Sequence, residues 1–322
     1  MWRAIIWLQK NLTWSIPLSM LIGLGFGYYV QSGFLKFFIL PLTFLMVYPM
    51  MVAMNMKELF KKSGARVQWV AILMNFILVP ALGYAMGSLF FSDQPLMRLG
   101  LLLVCLLPTS GMTISWTGFA KGNVPAAVKM TVVGLILGSL LTPLYLSGLL
   151  GAVIEVPLFD VFVQIVMIVF VPLLLGYLTQ KWLTQRHGAE AFNTQIKPKF
   201  PPISTLGVLG IVFVSMALKA HTIINQPALL LKLLAPLFLM YAVNFVISTA
   251  IAKWRFNRGD GIALVYGTVM RNLSIALAIA LGVFGEQGAE AALLIALAYV
   301  VQVQAAAWYV KLSPKLFPVT AN

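Results

Sequence analysis

The sequence predicts an all-α integral membrane protein of ten transmembrane helices, arranged as two inverted five-helix repeats. Three observations predict it. Of 322 residues, 61% are hydrophobic and only 9% charged, with a mean hydropathy of +0.95; a soluble domain carries about 25% charged residues. Crossing a bilayer takes about 20 mainly apolar residues in helical form, and ten such runs recur, at 12–30, 34–54, 67–91, 97–120, 124–150, 158–180, 201–219, 228–251, 260–284 and 289–310. The basic residues complete the picture. If both termini share one side, that side collects seventeen lysines and arginines, and the opposite side collects only Lys36, Arg98, Lys219 and Lys232. Positive charge marks the cytoplasmic side, so both termini are expected there, in a protein integral to the inner or plasma membrane.

The elements follow in order. The opening "MWRAIIWLQKNLTWSIPLSMLIGLGFGYYV" has a charged start and then a run from Leu12 to Val30 with no small-residue cleavage pattern, which reads as the first span rather than a signal peptide. Pro17, Pro80, Pro108, Pro143 and Pro172 interrupt later runs; membrane helices tolerate them where neighbours satisfy the freed carbonyls. The longest polar stretch, "KWLTQRHGAEAFNTQIKPKFPP" at 181–202, reads as a linker that divides the helices into five and five. Two tandem units that each cross an odd number of times have opposite orientations, which is the arithmetic of an inverted-repeat transporter. The whole of 1–322 then forms one transporter domain, with repeats at about 12–150 and 158–310.

Several function classes are excluded. The net charge of +14 belongs to cytoplasmic loops, so no nucleic-acid partner is expected. Cys105 is the single cysteine, and His187 and His221 stand apart, so neither a metal site nor another cofactor is expected. No acid–base constellation falls inside the spans, which argues against an intramembrane enzyme and leaves no catalytic residue to name.

What does stand out is a polar disturbance in the middle of two spans that occupy equivalent places in the repeats. These are "LLPTSGMTISW" (106–116) in helix 4 and "YGTVMRNLS" (266–274) in helix 9. Pro108 removes a backbone donor and Gly111 weakens the helix, so a break is expected there, lined by Thr109, Ser110, Thr113 and Ser115. In helix 9, Gly267, Thr268, Arg271, Asn272 and Ser274 repeat the pattern. The free N–H groups and positive dipole of a half-helix N-terminus favour anions, and an arginine strengthens that preference with forked, charge-assisted bonds. A mid-membrane arginine costs roughly 2.5–3.5 kcal/mol on insertion scales. The acids Glu58, Asp93, Glu155, Asp160, Glu190, Asp260, Glu286 and Glu290 all lie outside the span centres; Asp260, eleven residues of helix away, is about 16 Å from Arg271. With no carboxylate at hand, Arg271 is expected to meet water or an anion. Isolated Ser, Thr and Asn in such helices, Asn75 among them, are more often helix–helix glue.

Four stretches, "LPLTFLMVYPMM" (40–51), "MNFILVPALGYAMG" (74–87), "LLPTSGMTISWTGFAKGNVPAAVKM" (106–130) and "VMRNLSIALAIALG" (269–282), resemble the bile acid/sodium symporter superfamily, and its arsenical-resistance permease branch most. The resemblance spans about 35–310. It implies ten helices in two inverted repeats, a panel and a core domain, and broken helices 4 and 9 that cross at the site. Arsenite permeases carry a cysteine after the helix 4 proline and a glutamate in helix 9; here those places hold Thr109 and Ser274. A thiolate suits a soft arsenic centre and a hydroxyl does not. Sodium-coupled members carry a glutamate and a glutamine on helix 9 that match Gly267 and Arg271, and a serine–asparagine pair that matches Thr113 and Ile114. A guanidinium repels sodium, so sodium coupling is disfavoured; a coupled proton would have to travel with the substrate.

The reading is a secondary transporter of a small organic anion or oxyanion, working by alternating access. Its substrate-binding residues are Arg271, Asn272, Thr109, Ser110, Thr113 and Ser274. Two rivals stand beside it: arsenite or antimonite efflux with the metalloid handled as a neutral hydroxide, and a transporter-like receptor or sensor. The expected partners are a small anionic substrate and the lipid bilayer; the oligomeric state is left open.

Overall fold

Inside a bilayer no water competes for backbone N–H and C=O groups, so the chain must satisfy them within helices. The computed structural model follows this rule. It describes residues 2–54, 64–152, 156–225, 228–285 and 287–318. Among them there is no β-strand, only one isolated bridge. Lys57, Lys61 and Lys62 of the basic count, and Glu58, Glu155 and Glu286 among the acids, lie outside the described residues.

Among the described residues, seven helical segments are long and apolar enough to cross a membrane: Ser32–Ala53, Ala65–Phe90, Val124–Leu150, Leu158–His187, Ala189–Leu218, Leu230–Arg255 and Gly288–Leu316. The α-helices of the described residues are α1 (Trp2–Lys10), α2 (Leu12–Tyr29), α3 (Ile39–Ala53), α4 (Ala65–Leu73), α5 (Val79–Phe90), α6 (Pro95–Leu106), α7 (Gly111–Phe119), α8 (Val124–Leu150), α9 (Leu158–Ile165), α10 (Val171–His187), α11 (Ala189–Ala191), α12 (Phe200–Leu218), α13 (Ala220–Asn225), α14 (Ala228–Arg255), α15 (Arg258–Val269), α16 (Leu273–Phe284) and α17 (Gly288–Leu316). Two runs that read as single spans are split in the middle: 97–120 into α6 and α7, and 260–284 into α15 and α16.

The polar stretch 181–202 is largely helical. Its Trp, Leu, Gln and Arg residues are adequate helix formers, and α10 continues through them to His187. Gly188, at φ +85, makes the turn, and helical turns resume at Ala189.

Proline shapes two further helices in the same way. One π-helical turn, Met74–Leu78, precedes Val79-Pro80, and another, Val166–Phe170, precedes Val171-Pro172. Proline has no N–H for the carbonyl four residues back, and a widened turn accommodates the loss. Pro80 releases the carbonyl of Phe76, which accepts instead from the Tyr145 hydroxyl.

The chain folds into two compact units, one of Met1–Met54, Pro157–Leu230 and Ser274–Ala296, the other of Asn55–Val156, Leu231–Leu273 and Leu297–Asn322. In the first, α12 packs against α2 and α3, and α3 against α10. Small residues set these contacts, as expected where lipid gives no hydrophobic drive between helices. A Cβ at Gly27 would run into the Ala217 backbone, and one at Gly207 into Met46. Ser19 donates to Leu209 O at 2.7 Å, and Ser204 donates to Met46 O.

In the second unit, the side chain of Asn123 caps α8 by accepting from Ala126 N–H at 3.1 Å. Its amide donates to Asp260 Oδ1 at 2.6 Å, and its backbone N–H to Gly259 O at 2.9 Å. This joins the start of α8 to the start of α15 and fixes where α15 sets out toward the crossing.

Candidate functional site

The site is built from helix ends. α6 stops at Leu106, two residues before Pro108, and α7 starts at Gly111 behind Ser110. α15 stops at Val269 and α16 starts at Leu273. The two linking segments pair antiparallel: Thr109 N–H donates to Met270 O at 2.8 Å, Asn272 N–H donates to Leu107 O at 2.7 Å, and Pro108 faces Arg271. The two linking segments, 107–110 and 270–272, therefore meet as a minimal β-bridge within the second unit.

Each diverted N–H leaves a carbonyl behind, and every such buried group needs a new partner. Val104 O would have accepted from residue 108, which is proline; Arg271 Nε donates to it at 3.0 Å. Cys105 O loses the Thr109 N–H to the bridge, and Arg271 Nη2 donates to it. Thr268 O loses the Asn272 N–H in the same way, and takes Arg271 Nη1 at 3.1 Å and the Asn244 amide at 2.9 Å. Gly267 O loses the Arg271 N–H, which turns to Gln302 Oε1 at 2.7 Å; the Asn75 amide replaces it at 2.9 Å. Asn75 Oδ1 accepts from Arg271 Nη1 at 2.6 Å, and Gln302 Nε2 donates back to Arg271 O at 3.3 Å.

Among the described residues, Arg271 finds neutral partners where the sequence offers no carboxylate. Its side chain is 1% exposed, and its guanidinium caps the C-terminal carbonyls of α6 and α15, where a cation suits the dipole. The breaks themselves supply the neutral acceptors that sequence reasoning did not count.

The remaining residues singled out from sequence are placed in different ways. Thr109 is buried at φ +61, a left-handed conformation rare for a β-branched residue, and its hydroxyl donates to Pro108 O at 2.7 Å. Ser110 caps α7, with its hydroxyl accepting from Met112 N–H at 3.3 Å and its own N–H donating to Thr113 Oγ1 at 3.1 Å. Thr113 is fully buried in that box. Asn272 is half-buried beside the bridge. Ser274 is buried in the first turn of α16, in the segment belonging to the first unit. Ser115 is exposed on α7.

Five polar residues of the second unit were passed over or undervalued. Asn75, placed on the π-turn, and Gln302 touch Arg271 directly. Tyr241 donates to Gln302 Oε1 at 2.9 Å, and Ser248 shares a 2.7 Å bond with Thr268 Oγ1 and donates to Asn244 Oδ1 at 3.2 Å. The signal was available: each interrupts an apolar run near its middle, and Asn244 and Ser248 sit one helical turn apart on one face.

The model of the Sodium Bile acid symporter family matches residues 40–226. The chain belongs to this family. The arsenical-resistance protein Acr3 of Corynebacterium glutamicum is 25% identical over an alignment covering 98% of this chain and 92% of that protein. Acr3 of Alkaliphilus metalliredigens is 26% identical, with 74% and 71% covered, and sodium/bile acid cotransporter 7 of Danio rerio is 25% identical, with 54% and 52% covered. As a member of a symporter family the protein is a membrane transporter and not an enzyme, integral to a lipid bilayer and with a small-molecule substrate.

Proposed function

We propose that the protein moves a small anion across the cell membrane by alternating access, with the substrate held at the crossing of helices 4 and 9 and both termini in the cytoplasm. The ten spans would form two inverted five-helix repeats, with α6–α7 and α15–α16 as their equivalent broken helices. One observation carries the reading: the crossing holds a permanent cation whose partners are all neutral. Helix ends carry about half a charge each. The C-termini of α6 and α15 therefore offset about one charge, and Arg271 with the N-terminus of α7 supplies about one and a half. The balance is about +0.5. At about 6 Å with an effective dielectric near 20, this is worth about 1.4 kcal/mol for a monoanion. That is tenfold in favour of the anion and tenfold against a cation.

In this reading Arg271 acts from behind. It holds the place where sodium-coupled relatives would hold an ion, so sodium is not required. Ser110, Asn272 and, two residues along the chain, Ser274 would hydrogen-bond the substrate, while Thr109 and Thr113 keep the break in shape.

Purified protein in liposomes should accumulate one of a panel of small carboxylates and oxyanions in sodium-free buffer, and the same anion should raise its thermal midpoint. Asn272→Ala should abolish both effects. Binding without flux would mark a receptor and refute transport through this site. The similarity to two arsenical-resistance proteins supports a second reading, efflux of arsenite or antimonite as neutral hydroxides. Growth of a metalloid-sensitive host under arsenite, with no anion flux in liposomes, would favour it over the first.

A further inference from the structure

The first unit contains a cavity of about 710 Å³ lined by its own residues alone, within the size range of small-molecule sites. Ile39, Leu218 and Leu281 supply apolar wall, and Thr43, Gln164 and Lys219 supply polar groups. The turn after α2, the end of α12 and the turn before α17 bring these residues together. On the charge count those turns share the side opposite the termini.

Three observations show how weakly these polar groups are committed elsewhere. Thr131, Thr142 and Thr205 each donate to the carbonyl four residues back, the usual solution in an apolar helix. Thr43 does not: it is 3% exposed, and its hydroxyl has no hydrogen-bond partner. Gln164 also makes no hydrogen bond among the described residues, and its amide lies against Gly282, where any Cβ would displace it. Among the described residues Lys219 pairs with Glu290 at 3.7 Å, a long pair whose side chains are 19% and 42% exposed. Such a pair is weak, and an incoming carboxylate can replace Glu290.

We propose that this cavity binds an organic anion with an apolar body, its acidic group displacing Glu290 from Lys219 while Thr43 and Gln164 bond a second polar atom. The anion class rests on the transport reading above; the location and the exchange at Lys219 go beyond it.

The test uses the full-length purified protein and calorimetric titration with 2-naphthoate, against its neutral counterpart 2-naphthamide. Lys219→Gln should weaken naphthoate binding roughly tenfold, and Thr43→Val and Gln164→Leu roughly threefold or more each. Glu290→Gln should strengthen it roughly threefold, because the competing carboxylate is gone. A residue that merely supported the fold would not give opposite signs for the two members of one ion pair. The proposal is overturned if 2-naphthamide binds as tightly as 2-naphthoate, or if all four variants stay within twofold of wild type. Loss of naphthoate binding in Asn272→Ala, with Lys219→Gln unaffected, would move the ligand to the crossing and overturn this site while leaving transport intact. Naphthoate binding that follows Lys219, in a protein that moves no anion, would uphold the site and sink the transport reading instead.

Discussion

Replacing Arg271 tests the crossing most directly. Arg271→Ala removes the donors to Val104 O, Cys105 O, Thr268 O and Asn75 Oδ1. Thr268 O keeps the Asn244 amide, which leaves three acceptors with no other donor shown. An unsatisfied buried polar group costs about 1–3 kcal/mol, so the loss comes to about 3–9 kcal/mol before any cavity is counted. Relief from burying the charge offsets part of this, but the guanidinium was well compensated and returns little. A net loss of 3 kcal/mol lowers the melting midpoint of a chain this size by about 4 °C. Arg271→Lys keeps the charge and three donors without the planar fork, so its midpoint should fall between the two. The assay is thermal unfolding of purified protein followed by tryptophan fluorescence, with size-exclusion profiles before heating. An Arg271→Ala protein within 2 °C of wild type, or above it, would refute the capping role. A double-mutant cycle with Asn75→Ala adds a second check. Once Arg271 is gone Asn75 Oδ1 has no charged donor to lose, so the two changes together should cost less than their sum by about 0.5–3 kcal/mol.

Gln302→Leu should destabilise by about 2–5 kcal/mol, since it unpairs the Arg271 N–H and C=O and the Tyr241 hydroxyl together; a midpoint shift under 2 °C would count against the bridge. Thr109→Gly should change stability by less than about 1 kcal/mol, because glycine relieves the positive φ that threonine bears. Gly134→Ala should cost more, since its Cβ would fall 2.6 Å from Thr109 Oγ1; the reverse ranking of the two midpoints would be fatal to this account of the turn. Anion flux should differ by less than twofold between sodium and choline buffers of equal ionic strength, and a tenfold stimulation by sodium would show that Arg271 does not stand in for the ion. Cys105 is fully buried and in contact with Met240 Sδ at 3.2 Å, so a small polar thiol reagent should leave native protein unlabelled and label it only on unfolding.

The two breaks were legible from residue type alone. Pro108 and Gly111 lie too close together for a continuous helix, and the pair Arg271-Asn272 is too polar for a lipid-facing one. Positive charge placed the apolar runs in register with a membrane, and the family motifs named helices 4 and 9 as the ones that cross. What could not be read was the destination of each freed carbonyl. A carbonyl has no letter in the sequence, so a search for the partner of Arg271 that looked only at carboxylates found none. Asn75 was undervalued for a related reason. Its position on the face toward Arg271 depends on the extra residue of a π-turn, which Pro80 induces five positions later, and a 3.6-residue periodicity has no place for it. The stretch 181–202 reads as a linker, and its helical conformation was not legible from polarity, which at the end of a span only marks where the helix leaves the lipid.

The same accounting explains how a chain can keep this fold after losing the acidic and amide groups found on helix 9 of sodium-coupled members. Two helices broken at mid-membrane present two sets of carbonyls with negative dipole ends, and something positive must sit between them. A diffusible cation can fill that place, and its binding then links the shape of the crossing to ion concentration. Arg271 fills it covalently. Its Nε, Nη1 and Nη2 reach one helix end each or share one, and its own backbone carries the bridge to Pro108. On the proposed reading the crossing is then assembled at every sodium concentration, and the energy that would have come from an ion gradient would enter with the substrate or its proton. Gly267, which occupies one of the matching positions, fits the same logic. A Cβ there would collide with Met130 Sδ, so the space a ligating side chain would need is filled by packing from α8. Restoring a carboxylate at Gly267 should therefore not restore sodium dependence. Gly267→Glu should unfold the crossing unless Met130→Ala makes room, and a double variant whose flux rises tenfold with sodium would show that the fixed charge can be exchanged for a mobile one.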